Sequence, residues 1–234
     1  MPFGSRFVPS AARSRKSGTK PQQPAARVQR PRQAPADKFE QRRSELARAT
    51  LQTLADLGYA RTSLREIAQN SEYSHGVLHY YFSDKQDLIS CSIREYKTKC
   101  ATRYDDVVAS ARTVAELVSG FLGKLVETLR EEAPMHSLWY DLRTQALFED
   151  SFIDDVIEID HLLQDMVWRV VVRYAELEGR APATTPEAAY ALLDGLFQRA
   201  LLRQTAADDN AAADLRQQVE TLMPLLLGPV RSSA

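Results

Sequence analysis

Beyond residue 37 the apolar side chains return every three or four positions, and no stretch alternates apolar with polar, so the pattern predicts an all-α protein. The first predicted helix covers 38–57, where Phe39, Leu46, Ala47, Leu51 and Leu54 share a face and Gly58 supplies a stop. Ser63 with Glu66 forms a capping box, and Leu64, Ile67 and Ala68 then line the buried side of a short helix. Periodicity breaks at Asn70-Ser71-Glu72, and Ser74 is placed to cap a second short helix from His75 to Phe82. Ser83 with Gln86 reads as another capping box, opening a helix from Asp84 to about Ala109. Further helices are predicted at 113–132, 135–148 and 151–178. After the break Gly179-Arg180-Ala181-Pro182, helices follow from Pro186 to Gln204 and over 208–227.

The helix that starts at His75 has two unlike faces. Leu78 and Phe82 point inward with Tyr81, while Gly76, Val77, His79 and Tyr80 fall on the other side. Aromatic, imidazole and small side chains on one flank of so short a helix suit base edges and phosphates in a major groove. Leu64-Arg65-Glu66-Ile67-Ala68, then Ser74-His75-Gly76-Val77-Leu78-His79-Tyr80-Tyr81-Phe82, then Asp84-Lys85-Gln86-Asp87-Leu88 resemble the helix-turn-helix of the TetR family of transcriptional regulators. The likeness runs from about Arg43 to Leu88, with two departures: Glu72 stands where a turn glycine is usual, and His75 where proline is frequent.

The resemblance implies a helix-turn-helix domain over 37–85 and a helical effector-binding and dimerisation domain over 86–234. Base contacts are expected from Gly76, Val77, His79 and Tyr80 with His75 at their edge, and phosphate contacts from Ser63, Arg65, Ser74 and Lys85. Arg42, Arg43 and Arg61 also sit on polar faces or helix ends within reach of phosphates. The helix from Asp84 is the expected lever between the two domains.

Charge changes this picture at one end only. The whole chain holds 30 basic and 31 acidic side chains, but residues 1–36 carry eight basic ones and no acidic one, leaving 22 against 31 and a net −9 beyond them. The same 36 residues hold six of the eleven prolines, a composition that predicts a disordered tail. Two readings of it stay open, a plain leader and a basic arm that tracks phosphates or a minor groove.

The only cysteines, Cys91 and Cys100, fall nine residues apart on one predicted helix, so they face opposite ways and cannot bridge each other. No apolar run approaches a membrane span, and the basic N-terminus lacks the apolar stretch of a secretory signal; a cytoplasmic protein is expected.

By the resemblance, a small-molecule effector would bind among the C-terminal helices. Tyr104, Phe121, Leu125, Leu138, Trp139, Leu142, Met166 and Trp168 are the candidate wall, with Arg143 and His136 as polar anchors, although each fits plain core or surface as well. A homodimer is expected through broad apolar stripes on the last two helices. Ala188, Leu192, Gly195 and Leu196 carry the first, and Val219, Leu222, Met223 and Leu226 the second; covering the chain's own core is the alternative use of both. Glu158-Ile159-Asp160-His161 has a di-iron spacing, but such bundles need two of these motifs and only one is present. No zinc spacing, nucleophile elbow or phosphate-binding glycine loop occurs, so no catalytic residue, metal or cofactor is assigned. The expected function is a DNA-binding regulator, a repressor displaced from a near-palindromic operator by its effector. The competing classes are a helical ligand-binding module without DNA binding and, behind it, a helical-bundle metal enzyme using Glu158 and His161.

Overall fold

The computed structural model describes residues 35–59 and 62–229. The basic tail, apart from its last two residues, and Arg61 lie outside the described residues. Among the described residues ten α-helices follow one another: α1 (Pro35–Leu57), α2 (Leu64–Gln69), α3 (His75–Tyr81), α4 (Lys85–Ala101), α5 (Asp105–Ser110), α6 (Val114–Glu131), α7 (Ala133–Gln145), α8 (Ile153–Glu178), α9 (Pro186–Thr205) and α10 (Ala211–Leu222). Short 3-10 turns cover Asp150–Phe152 and Met223–Leu226. Among the described residues the extended pairing is a single bridge, Pro182 to Leu227.

Local signals set most of the helix ends. Gly58 closes α1 in the left-handed region at φ 73°, donating to the Leu54 carbonyl at 2.8 Å. Ser63 Oγ accepts from the Glu66 amide at 3.1 Å, and Ser74 Oγ from the Val77 amide at 3.3 Å, so both predicted caps form. The turn between α2 and α3 needs no left-handed residue at Glu72; among non-glycine residues described, positive φ occurs at Ala207 alone. Replacing the usual glycine therefore strains nothing there. Gly179 ends α8 at φ 63°.

Two expectations are corrected. The cap of α4 is Asp84, not Ser83: the Asp84 carboxylate accepts from the Asp87 amide at 2.9 Å, and Asp87 accepts from the Ser83 amide at 3.0 Å. A carboxylate at a helix N-terminus gains from the helix dipole as well as from the hydrogen bond, so it displaces the neighbouring hydroxyl. Nor does the lever run on to Ala109. The Ala101 carbonyl accepts from Arg169 at 2.5 Å and the Arg103 carbonyl from Lys124 at 2.8 Å, so distant side chains satisfy the orphan carbonyls and α4 stops. Pro134 lies in the first turn of α7, where its missing N–H costs no helix hydrogen bond.

Two apolar cores result. One joins α1–α4 to α7 and α8, with Leu46, Leu78, Phe82 and Leu88 packed together with Trp139, Phe152 and Ile159. The other lies among α6, α8, α9 and α10. The first core therefore crosses the expected boundary at 85/86, and α4 is buried against both α1 and α8.

Candidate nucleic-acid interface and interior cavity

α3 is anchored on one side and bare on the other. Leu78 and the capping Phe82 are buried at 0% and 1%, while His75, Gly76, Val77, His79 and Tyr80 are exposed, Tyr80 at 71%. The inner residues tie the helix to the core, and the outer five form one continuous flank. His75 and His79, one turn apart, meet edge-on at 4.4 Å between ring centroids. Tyr80 is steadied from behind by Tyr81 at 4.9 Å and by Phe39 of α1 at 6.0 Å. Among the described residues nothing stands within 4 Å of where a Gly76 Cβ would lie, so they leave that part of the flank open to an approaching surface.

The cations around α3 differ in freedom. Arg65 on α2 is exposed. Lys85 is half-buried, its ammonium 4.3 Å from the centre of the Tyr59 ring. Arg43 is committed: it pairs with Asp87, donates to the Tyr81 carbonyl at 3.4 Å and lies over the Phe82 ring. It is a brace between α1 and α4 rather than a free phosphate contact. Arg42 pairs with Glu45 on the exposed side of α1.

At the other end of α4 lies an interior cavity of about 80 Å³. Tyr104, Phe121, Leu125, Trp139 and Met166 line it as expected. Leu138 and Leu142 do not: they are buried in the α1–α4 core. Trp168 packs half-buried at the edge of the second core, away from the cavity. Arg143 is held outside by Asp194 at 2.6 Å and Asp160 at 3.5 Å, so it is spoken for rather than waiting for a ligand. His136 is no surface group but a buried wall residue, 6% exposed.

Sequence reasoning missed the polar part of the wall: Lys97, Arg103, Thr128, Tyr190 and Asp194. Lys97 did carry a signal. It falls on the apolar face of α4 between Ile93 and Cys100, and it is only 3% exposed. Its Nζ donates to His136 Nδ1 at 3.1 Å. An ammonium cannot accept, so Nδ1 is the acceptor and His136 carries its proton on Nε2. Nε2 in turn meets Thr128 Oγ1 at 2.8 Å and Tyr96 Oη at 3.0 Å. Tyr96 and Arg103 both donate to Glu132 Oε2, each at 2.5 Å, which ends the chain at a carboxylate.

Burial sets the protonation of this network. It lowers the Lys97 ammonium from 10.5 to about 8, the lost hydration outweighing the opposing charge of Asp194. Burial, then the charges of Lys97 and Arg103, hold His136 well below its usual range, hence neutral. Burial raises Glu132, but the hydrogen bonds from Arg103 and Tyr96 outweigh it and leave a carboxylate.

Of the residues expected at a dimer surface, Ala188, Leu192 and Gly195 are exposed and Leu196 is half-buried along α9. Val219, Met223 and Leu226 are instead buried in the chain's own second core, and Leu222 packs partly against it. The α10 stripe therefore serves the intrachain core, because α10 lies over α6 and α9. Glu158 and His161 form no centre with other ligands: Glu158 pairs with Arg94 at 2.6 Å, His161 is exposed, and no group of three or more metal-ligand side chains occurs among the described residues. No described helix is long and apolar enough to cross a membrane.

An all-helical chain with a capped, outward-facing second helix in a helix-turn-helix defines a class, the helix-turn-helix transcriptional regulators. Residues 46–90 match the family model described as bacterial regulatory proteins, tetR family. The chain is 26% identical over 189 residues to the HTH-type transcriptional regulator PksA of Bacillus subtilis, covering 78% of this chain and 90% of that one. It is 28% identical over 194 residues to the HTH-type transcriptional regulator BetI of Burkholderia thailandensis, covering 80% and 94%. Among solved structures, a TetR transcription regulator from Haloarcula marismortui superposes with a TM-score of 0.60 at 23% identity, over 82% of this chain and all of that one. FadR from Bacillus subtilis, solved in complex with stearoyl-CoA, shares the fold at a TM-score of 0.58 and 15% identity, over 80% and 98%. Residues 46–90 therefore carry a TetR-family helix-turn-helix, and the chain over most of its length is similar to HTH-type transcriptional regulators.

Proposed function

We propose that this regulator is a homodimeric repressor, released from a near-palindromic operator by a small molecule bound in the α4–α9 cavity. The observation that carries the reading is α4 itself. Its capped start adjoins α3 in the shared core of Phe82 and Leu88, and Lys97, twelve residues and about 18 Å further along, enters the cavity wall. A ligand against Lys97 acts on the element that positions the reading flank. It shifts DNA affinity only by the difference in its own affinity for the two conformations, about 2.7 kcal/mol for a hundredfold release. The stearoyl-CoA complex of FadR supports a ligand-responsive reading for this fold.

Two copies of α3 would enter successive major grooves about 34–36 Å apart. Gly76, Val77, His79 and Tyr80 meet base edges there, with His75 beside them, and Ser63, Arg65, Ser74 and Lys85 meet phosphates. The dimer forms through the outward face of α9, where Ala188, Leu192 and Gly195 continue into Leu202, itself 72% exposed. Glycine inside a helix costs about 1 kcal/mol against alanine. Among the described residues nothing lies within 4 Å of a Gly195 Cβ, so no contact among them uses its small size. A crossing partner helix would use it. Gly195→Glu should sediment as a monomer and lose operator binding; a variant that remains a dimer moves the interface to another face.

A further inference from the structure

We propose that the effector is a small monocarboxylate, its oxygens accepting hydrogen bonds from Lys97 Nζ and the indole N–H of Trp139. This rests on the effector-cavity reading above and adds the chemical class. Two donors with unused capacity belong to the wall of one cavity. Lys97 has three N–H donors, and one partner is recorded for its Nζ, His136 Nδ1. Among the described residues no carboxylate pairs with it. Asp194, a carboxylate of that wall, is engaged instead by Tyr140 Oη at 2.8 Å and Arg143 at 2.6 Å. The indole Nε1 of Trp139 is buried and has no hydrogen-bond partner. Buried donors are almost always satisfied, so an unpaired one beside a cavity would be stabilised by an acceptor brought in with a ligand. The two side chains are neighbours, the Lys97 ammonium lying 5.4 Å from the centre of the Trp139 ring.

A carboxylate fits these requirements together. It only accepts, it offers two oxygens, and its charge completes the ion pair that Lys97 lacks. The remaining wall is apolar at Phe121, Leu125, Met166 and Leu193, which suits a hydrocarbon body. A water-sized atom needs roughly 10–15 Å³ by the same measure of space, so about 80 Å³ holds a ligand of roughly five to eight heavy atoms without rearrangement. Lys97 opposes an organic cation, although the aromatic side chains alone would accept one.

The test is isothermal titration of the protein with butyrate, pentanoate and hexanoate, beside the amides and primary ammonium ions of the same bodies. At least one carboxylate should bind saturably, and its amide and ammonium counterparts at least tenfold more weakly. Lys97→Met should lose tenfold or more for the carboxylate, and Trp139→Phe several-fold, with circular dichroism and sedimentation unchanged. The bound carboxylate should also release operator DNA from the wild type and not from Lys97→Met. Equal or better binding of an amide or ammonium overturns the carboxylate class while leaving the cavity as the effector site. Carboxylate binding that survives both Lys97→Met and a cavity-filling Leu125→Trp overturns both readings, and no binding by any carboxylate overturns the proposal.

Discussion

α3 and the interior cavity occupy opposite ends of α4 and are assembled in contrasting ways. The reading flank is written within a few residues: Ser74 caps, Leu78 and Phe82 anchor, and the five groups between them face outward. The cavity draws its wall from α4, α6, α7, α8 and α9, from Lys97 to Phe197. The first region keeps its polar groups where water can satisfy them, and where DNA would under the proposed function. The second buries a lysine, a histidine and an indole N–H and satisfies them only in part. Substitutions in the reading flank should therefore change binding with little effect on folding, and substitutions around the cavity should change both.

The largest effect should come from Trp139→Ala. The side chain is 1% exposed and joins the cavity to the core that holds α3, so its loss should destabilise the fold by about 3–5 kcal/mol in chemical denaturation. A change below 1 kcal/mol would mean that the two ends are not packed through one core. Lys97→Met should act in the opposite sense and stabilise the unliganded protein by about 1–2 kcal/mol at neutral pH. That is the burial penalty on the ammonium less the acceptor left unpaired on His136.

The same lysine gives a pH signature. Between pH 8 and its unfolded value of 10.5, unfolded Lys97 keeps a proton that the folded group has released, so its term makes stability rise with pH. Buried tyrosines such as Tyr96, raised from 10.0 by burial, oppose this above pH 10, so the window to compare is pH 8 to 10. There Lys97→Met should flatten the slope; an unchanged slope would remove the buried charge from the account. The smallest effect should be Ser74→Ala, costing about 1 kcal/mol by loss of the Val77 cap, with a matching loss of operator affinity. Stability unchanged within 0.2 kcal/mol would show that packing on Leu78 alone holds α3.

How far the sequence could be read follows the same contrast. Helix positions, the Ser63 and Ser74 caps and both faces of α3 depend on neighbours three or four residues away, and these were legible. The end of α4 was not, because Arg169 and Lys124, which terminate it, come from α8 and α6. Nor was the role of α10: an apolar stripe looks alike whether it meets its own chain or a partner, and Val219, Met223 and Leu226 meet their own. The cavity was half legible. Its apolar wall follows from periodicity, whereas its polar chain from Lys97 through His136 to Glu132 joins residues that only the fold brings together. A lysine on an apolar helix face was the one local clue.

The most direct test of the central claim, that the outward flank of α3 reads DNA as a symmetric pair, is a footprint on the DNA flanking the protein's own gene. The wild type should protect two half-sites whose centres lie one helical turn, about 34–36 Å, apart. Tyr80→Ala should weaken that protection by roughly tenfold or more, equivalent to about 1–3 kcal/mol, while remaining a folded dimer. Protection by Tyr80→Ala at the wild-type concentration, or a footprint without paired half-sites, would contradict it.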